Sequence, residues 1–468
     1  MKSDRRPVDA AATRAVRGPD LVVRGGRIVT PDGVLDADLA VMDGRIMRIA
    51  PGLDEEEGLV LDARGKYVFP GIVDAHVHFN EPGRTGWEDF ATGSAALAAG
   101  GGTCFFDQPS QCLPPTLDAA ALREKRRLAE EKSCVDFALW GGLVAGNLDQ
   151  LAALRDAGAI GFKAYLGPGT DEKFPVVDAA VLREGMKRAA KLGVIVAVHA
   201  EDASTLAKSS TAKVRTAKRT AAAWGTSRPI EAELAAIRCA LELAGETGCV
   251  LHIASVSSLE GLELIEEARQ QRVDVTAETT PHHLLLNASD VARLGVVAKS
   301  APPVRDEAGR AALWKELRSH RIQTIGSAHS PTSPEPKAGK DFSGEAAGVA
   351  GCQHGFSLLM SEVATSADKD LPILAAVLAR NVARRFRIDQ HKGLLTPGRD
   401  ADFSLVEFGA QHAIKADELW TRQRLSVYVG RKSRARVTHT YVRGAAVLAA
   451  GRLVNLAPPG RFVRPTHA

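Results

Sequence analysis

The stretch Ile72-Val73-Asp74-Ala75-His76-Val77-His78 decides the fold: a short apolar run that ends on two imidazoles one residue apart. Seven more runs of this texture follow, Thr103 to Phe106, Val135 to Trp140, Ile160 to Ala164, Val194 to Val198, Val250 to Ile253, Val273 to Ala277 and Gln323 to Gly326. Between them, segments such as Trp87 to Ala99, Ala119 to Lys132, Ala179 to Lys191, Pro229 to Ala244 and Ser258 to Gln270 carry apolar residues at helical spacing. A parallel strand pair needs a long crossover, usually a helix, so this alternation predicts an α/β fold whose core is a closed (β/α)8 TIM-like barrel. An open doubly wound sheet is the rival. It would want phosphate-cradling glycines after its first strand, and Gly100-Gly101-Gly102 stands before a strand instead.

Outside this region the texture changes. Leu21 to Ile49 reads as short strands joined by Asp-Gly and Gly-Arg turns, and Gly393 to Val454 repeats the pattern. Chain ends of compact units are often neighbours, so both ends are expected to build one small β-sandwich domain. The expected organisation is a disordered leader over 1–20, sandwich over 21–69, barrel over 70–390, sandwich again over 391–462 and a tail over 463–468.

Bulk composition narrows the function classes. A formal charge of +4 over 468 residues with 5% aromatics argues against nucleic-acid binding, which needs a wide basic face with stacking rings. No stretch is apolar enough to span a bilayer, and the leader lacks the apolar core of a signal peptide. Cys104, Cys112, Cys134, Cys239, Cys249 and Cys352 are scattered without a CxxC pair, which suits a reducing cytoplasm and directs any metal site toward nitrogen and oxygen ligands.

Barrels of this kind project their chemistry from the C-terminal strand ends. The first expected strand ends in His76 and His78, the fourth carries Lys163, the fifth ends at His199 and the sixth passes His252. Strand alternation sends His76 and His78 to one side, where both can grip one ion. Any one of these histidines alone is more simply a hydrogen-bonded core or surface residue; four at three strand ends, with Lys163 at a fourth, are not. Lys163 inside Gly-Phe-Lys-Ala-Tyr-Leu is expected to be buried, which lowers its pKa and frees an amine able to react with carbon dioxide. A structural lysine paired to a carboxylate is the other reading.

The run His76-Val77-His78-Phe79-Asn80-Glu81-Pro82-Gly83-Arg84-Thr85-Gly86-Trp87-Glu88 resembles the signature of the allantoinases, in the branch of the amidohydrolase superfamily that also holds dihydroorotases and hydantoinases. Similar matches are Phe162 to Leu166, His199-Ala200-Glu201, Ser227-Arg228-Pro229, Thr280 to Leu284, Lys299 to Arg305 and Pro397 to Asp402. The resemblance implies a metallohydrolase with two divalent ions, usually zinc, bridged by hydroxide and a carboxylated Lys163. It implies that His76 and His78 hold the deeper ion and His199 and His252 the other. Asn80 stands where dihydroorotase-like members carry arginine for a substrate carboxylate, which suits an uncharged ring; a loop-capping asparagine is the alternative. Ser300 falls where such enzymes hold the ring through the main chain. A small cyclic ureide or amide is the implied substrate, and a homodimer or homotetramer the implied assembly.

One expected residue is missing. The eighth run ends Gly326-Ser327-Ala328-His329-Ser330, and the family pattern has aspartate where Ala328 stands. By the same resemblance, that aspartate binds the deeper ion and carries a proton to the leaving nitrogen, so impaired hydrolysis is expected. The chain is then an inactivated variant, a non-catalytic assembly subunit, or an enzyme with another proton carrier such as His329 or Asp107. Asp107-Gln108-Pro109-Ser110-Gln111 also replaces the usual Asp-Met-Pro-Leu-Asn, which leaves ring specificity open.

Overall fold

The computed structural model describes residues 18–54, 58–169, 171, 174–210, 220–332, 339, 341–342, 346–364, 368–454, 456 and 460–466. All but the last three residues of the expected leader, and His467, lie outside them.

Five strands come first: β1 (Leu21–Thr30), β2 (Gly33–Met42), β3 (Arg45–Ala50), β4 (Leu59–Asp62) and β5 (Tyr67–Pro70). The barrel strands are β6 (Ile72–Val77), β7 (Gly102–Asp107), β8 (Asp136–Leu139), β9 (Gly141–Gly142), β10 (Phe162–Tyr165), β11 (Val196–His199), β12 (Leu251–Ala254), β13 (Val275–Thr279) and β14 (Thr324–Ile325). β6, β7 and β8 pair in parallel, as do β9 through β14 in sequence order. β8 and β9 occupy one strand position, broken at Trp140, whose N–H still donates to the Asp107 carbonyl (3.0 Å). The ring closes where Val77 bridges His329 and the His78 N–H donates to the His329 carbonyl (2.7 Å). That contact excludes the open sheet.

Most strands begin one or two residues later than their apolar runs. Ile160, Val194 and Ile195 are buried on the approach, outside the assigned strands, although the Ile160 N–H already donates to the Leu139 carbonyl (2.9 Å) and the Ile195 carbonyl accepts the Phe162 N–H (2.9 Å). Aspartates punctuate the returning helices: Asp89, Asp118 and Asp178 each accept an N–H from the first turn of Phe90–Ala99, Ala119–Lys132 and Ala179–Leu192. An apolar plug fills the lower end of the barrel, with Val73, Phe106, Trp140 and Ala197 packed against Val382, Phe386 and Ile388.

The late strands β15 (Phe403–Ala413), β16 (Lys432–Val442), β17 (Ala445–Ala449) and β18 (Arg452–Leu453) join the early ones in one nine-stranded sheet, through antiparallel pairing of β15 with β5. Ile28, Leu39 and Val41 share an apolar core with Phe403, Leu405 and Tyr441, so both chain ends build one layer. Among the described residues, no helix is long and apolar enough to cross a membrane.

Sheet and barrel meet at a buried ion cluster. The Lys392 ammonium lies 2.9 Å from Asp400 and 2.6 Å from Asp402 and also pairs with Asp136, which Arg443 contacts as well. Among the described residues these three aspartates are the only such group whose ligand atoms lie within 4.8 Å of one another, and a lysine already fills it. Removing one member of a buried pair strands its partners' charge. Lys392→Met is therefore expected to destabilise the chain by about 3–5 kcal/mol, read from urea unfolding of both proteins.

Candidate metal centre at the barrel mouth

His76, His78, Lys163, His199, Ser300 and Ala328 all line one cavity of about 30 Å³ at the C-terminal strand ends. A space of that size admits about two water-sized occupants, each needing roughly 10–15 Å³. His252 lies below them, its ring 5.4 Å from that of the plug residue Phe386, and reaches the group through Glu278.

Three of the four imidazoles are fixed by one ring nitrogen, which aims the other. His76 Nδ1 is 2.7 Å from Glu278 Oε1, His199 Nε2 is 2.9 Å from Glu201 Oε2, and His252 Nδ1 is 2.8 Å from Thr276 Oγ1. His78 Nδ1 is buried without a hydrogen-bond partner. Burial pushes all four rings below the ordinary histidine value. They are neutral near pH 7, the form whose nitrogen lone pair can bind a cation.

Lys163 is fully buried, and burial lowers its amine to about 8. It forms no ion pair with any carboxylate among the described residues; Nζ lies over the Tyr165 ring, 5.5 Å from its centroid. The Glu278 charge opposes the effect of burial on it without forming an ion pair. The lysine charge acts on His76, His78, His199 and His252 alike, as expected of groups in one cluster.

Ala328 stands on the cavity wall with φ of +47°, in the left-handed region. Aspartate and asparagine are several-fold enriched there among non-glycine residues, because their short polar side chains bond locally. The backbone at this point suits the missing residue better than the one present. Asp74 supports it: its buried carboxyl accepts the N–H groups of Ser327 (2.9 Å) and His76 (3.2 Å). Burial raises Asp74 to about 7 against these bonds.

Other expected residues lie differently. Asn80 is buried beside the site, with Nδ2 donating to the Pro331 carbonyl (3.1 Å), and it is not among the residues lining the cavity. Ser300 lines it, while its own carbonyl accepts the Trp224 indole N–H (2.9 Å). The two alternative proton carriers face elsewhere. His329 Nδ1 accepts the Gly351 N–H, with its other nitrogen toward Glu88, and Asp107 pairs with Lys125.

Sequence reasoning missed the carboxylates that orient the rings. Glu201 and Arg228 sit in stretches already singled out, and Arg228 Nε donates to Glu201 Oε1 (2.9 Å). Glu278 directly follows an apolar run, where a charge signals a buried partner.

Residues 67–447 match the amidohydrolase family. The chain is 42% identical over 447 residues to the allantoinase of Deinococcus radiodurans, covering 95% of this chain and 99% of that one. It is 43% identical over 449 residues to the allantoinase of Rubrobacter xylanophilus, covering 95% and 98%. Among solved structures, the L-hydantoinase (dihydropyrimidinase) from Arthrobacter aurescens superposes with a TM-score of 0.92 at 31% identity, covering 95% of this chain and 100% of that one. The closed parallel barrel, its histidine-rich mouth and these matches agree: the chain belongs to the amidohydrolase family.

Proposed function

We propose that this chain is built as a metal-dependent hydrolase of cyclic amides, with allantoin, opened to allantoate, as its ring substrate, and that Ala328 suppresses its turnover. One observation carries the reading: neutral, oriented imidazoles and an unpaired buried amine share one cavity at the barrel mouth. The allantoinases at 42% and 43% identity support the substrate. A hydantoin-type ring is the second reading, favoured by the likeness to the L-hydantoinase.

The donor set fits two divalent ions, and zinc in particular, which takes nitrogen and oxygen ligands. His76 and His78 would hold one and His199 the other, with Lys163 between them as a carbamate; His252, expected as a further ligand, lies outside the cavity lining, its ring nitrogens facing Thr276 and Glu278. Bound ions would supply Lewis acidity toward the amide carbonyl and lower the pKa of water. The remaining work falls to side chains. Tyr165 lines the same cavity, and burial raises its hydroxyl pKa, so it stays a hydrogen-bond donor. Its hydroxyl is 3.1 Å from Ser110 Oγ, which fixes its position. No carboxylate at 328 can take the proton from water and pass it to the leaving nitrogen. Losing such a group costs about 10²–10⁴-fold in rate.

Ala328→Asp is expected to fold and to raise ring opening by about 10²–10⁴-fold. Assays of allantoin, hydantoin and dihydroorotate before and after the change check this, and a restored protein that opens none of them refutes the substrate class. A restored protein that binds zinc yet stays inactive and co-purifies with another chain favours a non-catalytic subunit.

Lys163 gives a second test in chelator-stripped protein. Its folded pKa of about 8 lies below the 10.5 of a free lysine, so between those values the unfolded chain binds a proton that the folded one does not. Stability should therefore rise with pH across that window, by about 3 kcal/mol at roughly 1.4 kcal/mol per pKa unit. Urea unfolding in CO2-free buffer should show this rise in the native sequence and not in Lys163→Met.

A further inference from the structure

Thr280-Pro281-His282-His283 follows β13 directly and sets two buried histidines side by side, with opposite bonding. His283 is held at both ring nitrogens: Nδ1 is 2.9 Å from Thr280 Oγ1 and Nε2 is 3.2 Å from the Pro302 carbonyl. That is how a structural histidine is satisfied. His282 lines the same cavity as His76, His78, Lys163 and His199, and its Nδ1 is buried without a hydrogen-bond partner. Of its two nitrogens only Nδ1 is sealed in, so Nε2 is the one that opens on the cavity. Burial, with His283 and His76 nearby, holds this ring well below the ordinary histidine value, so it is neutral near pH 7 and carries a single N–H. Orphaned buried N–H groups are rarer than underused acceptors, which puts that proton on Nε2. Counted out to solvent, the empty space at this mouth is about 440 Å³, within the roughly 300–1,000 Å³ of sites for small organic ligands.

We propose that His282 is a substrate-contacting residue whose Nε2–H donates to a carbonyl oxygen of the bound cyclic amide. The inference rests on the reading of this mouth as a site for cyclic amides, and it deepens that reading by naming a side chain that selects the ring. Every cyclic amide or ureide offers carbonyl oxygens as acceptors, and a neutral donor suits them without the charge that a ring carboxylate would call for. A polar atom left unbonded in a polar cavity is then explained by the molecule that enters it. In His282→Leu the carbonyl oxygen loses its donor while the space stays filled. In His282→Gln an amide N–H returns at similar reach. The two variants should therefore differ in ring binding and agree in everything else.

Calorimetric titration of allantoin and hydantoin into the zinc-loaded full chain tests this, because slow turnover with Ala328 in place leaves the ring intact during the measurement. His282→Leu should weaken binding about 10-fold, the usual net effect of one lost hydrogen bond, and His282→Gln should stay within about 3-fold of the unmutated chain. Zinc content should be the same in all three proteins, since Nε2 serves the ring and not an ion. A leucine variant that binds as tightly as the unmutated chain, or a glutamine variant as weak as the leucine one, overturns the inference. So does loss of zinc from either variant, which would make His282 a metal ligand instead. Thermal melting checks that each variant folds. Should His282→Leu fail to fold, NMR of the chain labelled with the heavy nitrogen isotope in histidine decides: the ring signal missing from His282→Gln should shift in the unmutated chain when allantoin saturates it, and an unmoved signal overturns the inference. Those outcomes leave the substrate class standing, whereas an unmutated chain that binds neither ring overturns the proposed substrate class and the role of His282 together.

Discussion

The hydrogen bond from the His78 N–H to the His329 carbonyl closes the barrel, and the site depends on that closure. The two residues are far apart along the chain, and only the completed ring of parallel strands makes them neighbours. Once they meet, the paired imidazoles of the first strand face position 328 across the same cavity. Asp74 reinforces the seam by accepting N–H groups from both sides, His76 on one and Ser327 on the other. A buried carboxyl costs free energy unless hydrogen-bonded, so this group earns its place at the seam.

Around that seam, burial and orientation work together. Taking the imidazoles out of water disfavours their protonation, and the oxygens of Glu278, Glu201 and Thr276 decide which nitrogen each presents. Arg228 in turn holds Glu201, so the charge behind His199 is itself neutralised. The histidines alone would be loose donors. Their oxygen partners fix three of the four rings in place.

Much of this was legible in the chain, and for identifiable reasons. Eight apolar runs with intervening helical periodicity name a parallel barrel because each run is local, and the histidines stand at the run ends. Strand starts were less legible, because residues such as Val194 are buried while their N–H still bonds to the preceding helix end at Ala189. The orienting residues were hidden for a different reason. Glu278 lies more than 200 positions from His76, and no spacing along a chain encodes such a contact. Lys392 is likewise an ordinary basic residue in the sequence and the centre of an aspartate cage in three dimensions. Asn80 carried a substrate-facing expectation; its amide nitrogen donates to the Pro331 carbonyl while its amide oxygen is buried without a hydrogen-bond partner.

The stopper formed by Val382, Phe386 and Ile388 turns the barrel into a vessel with one opening. Whatever enters must leave by the way it came, so arrival and departure compete for a single doorway. A ring-opened product is longer and more flexible than the ring that made it. Clearing the doorway, and not merely breaking a bond, then becomes part of the cycle that a hydrolase of cyclic amides on this frame has to complete.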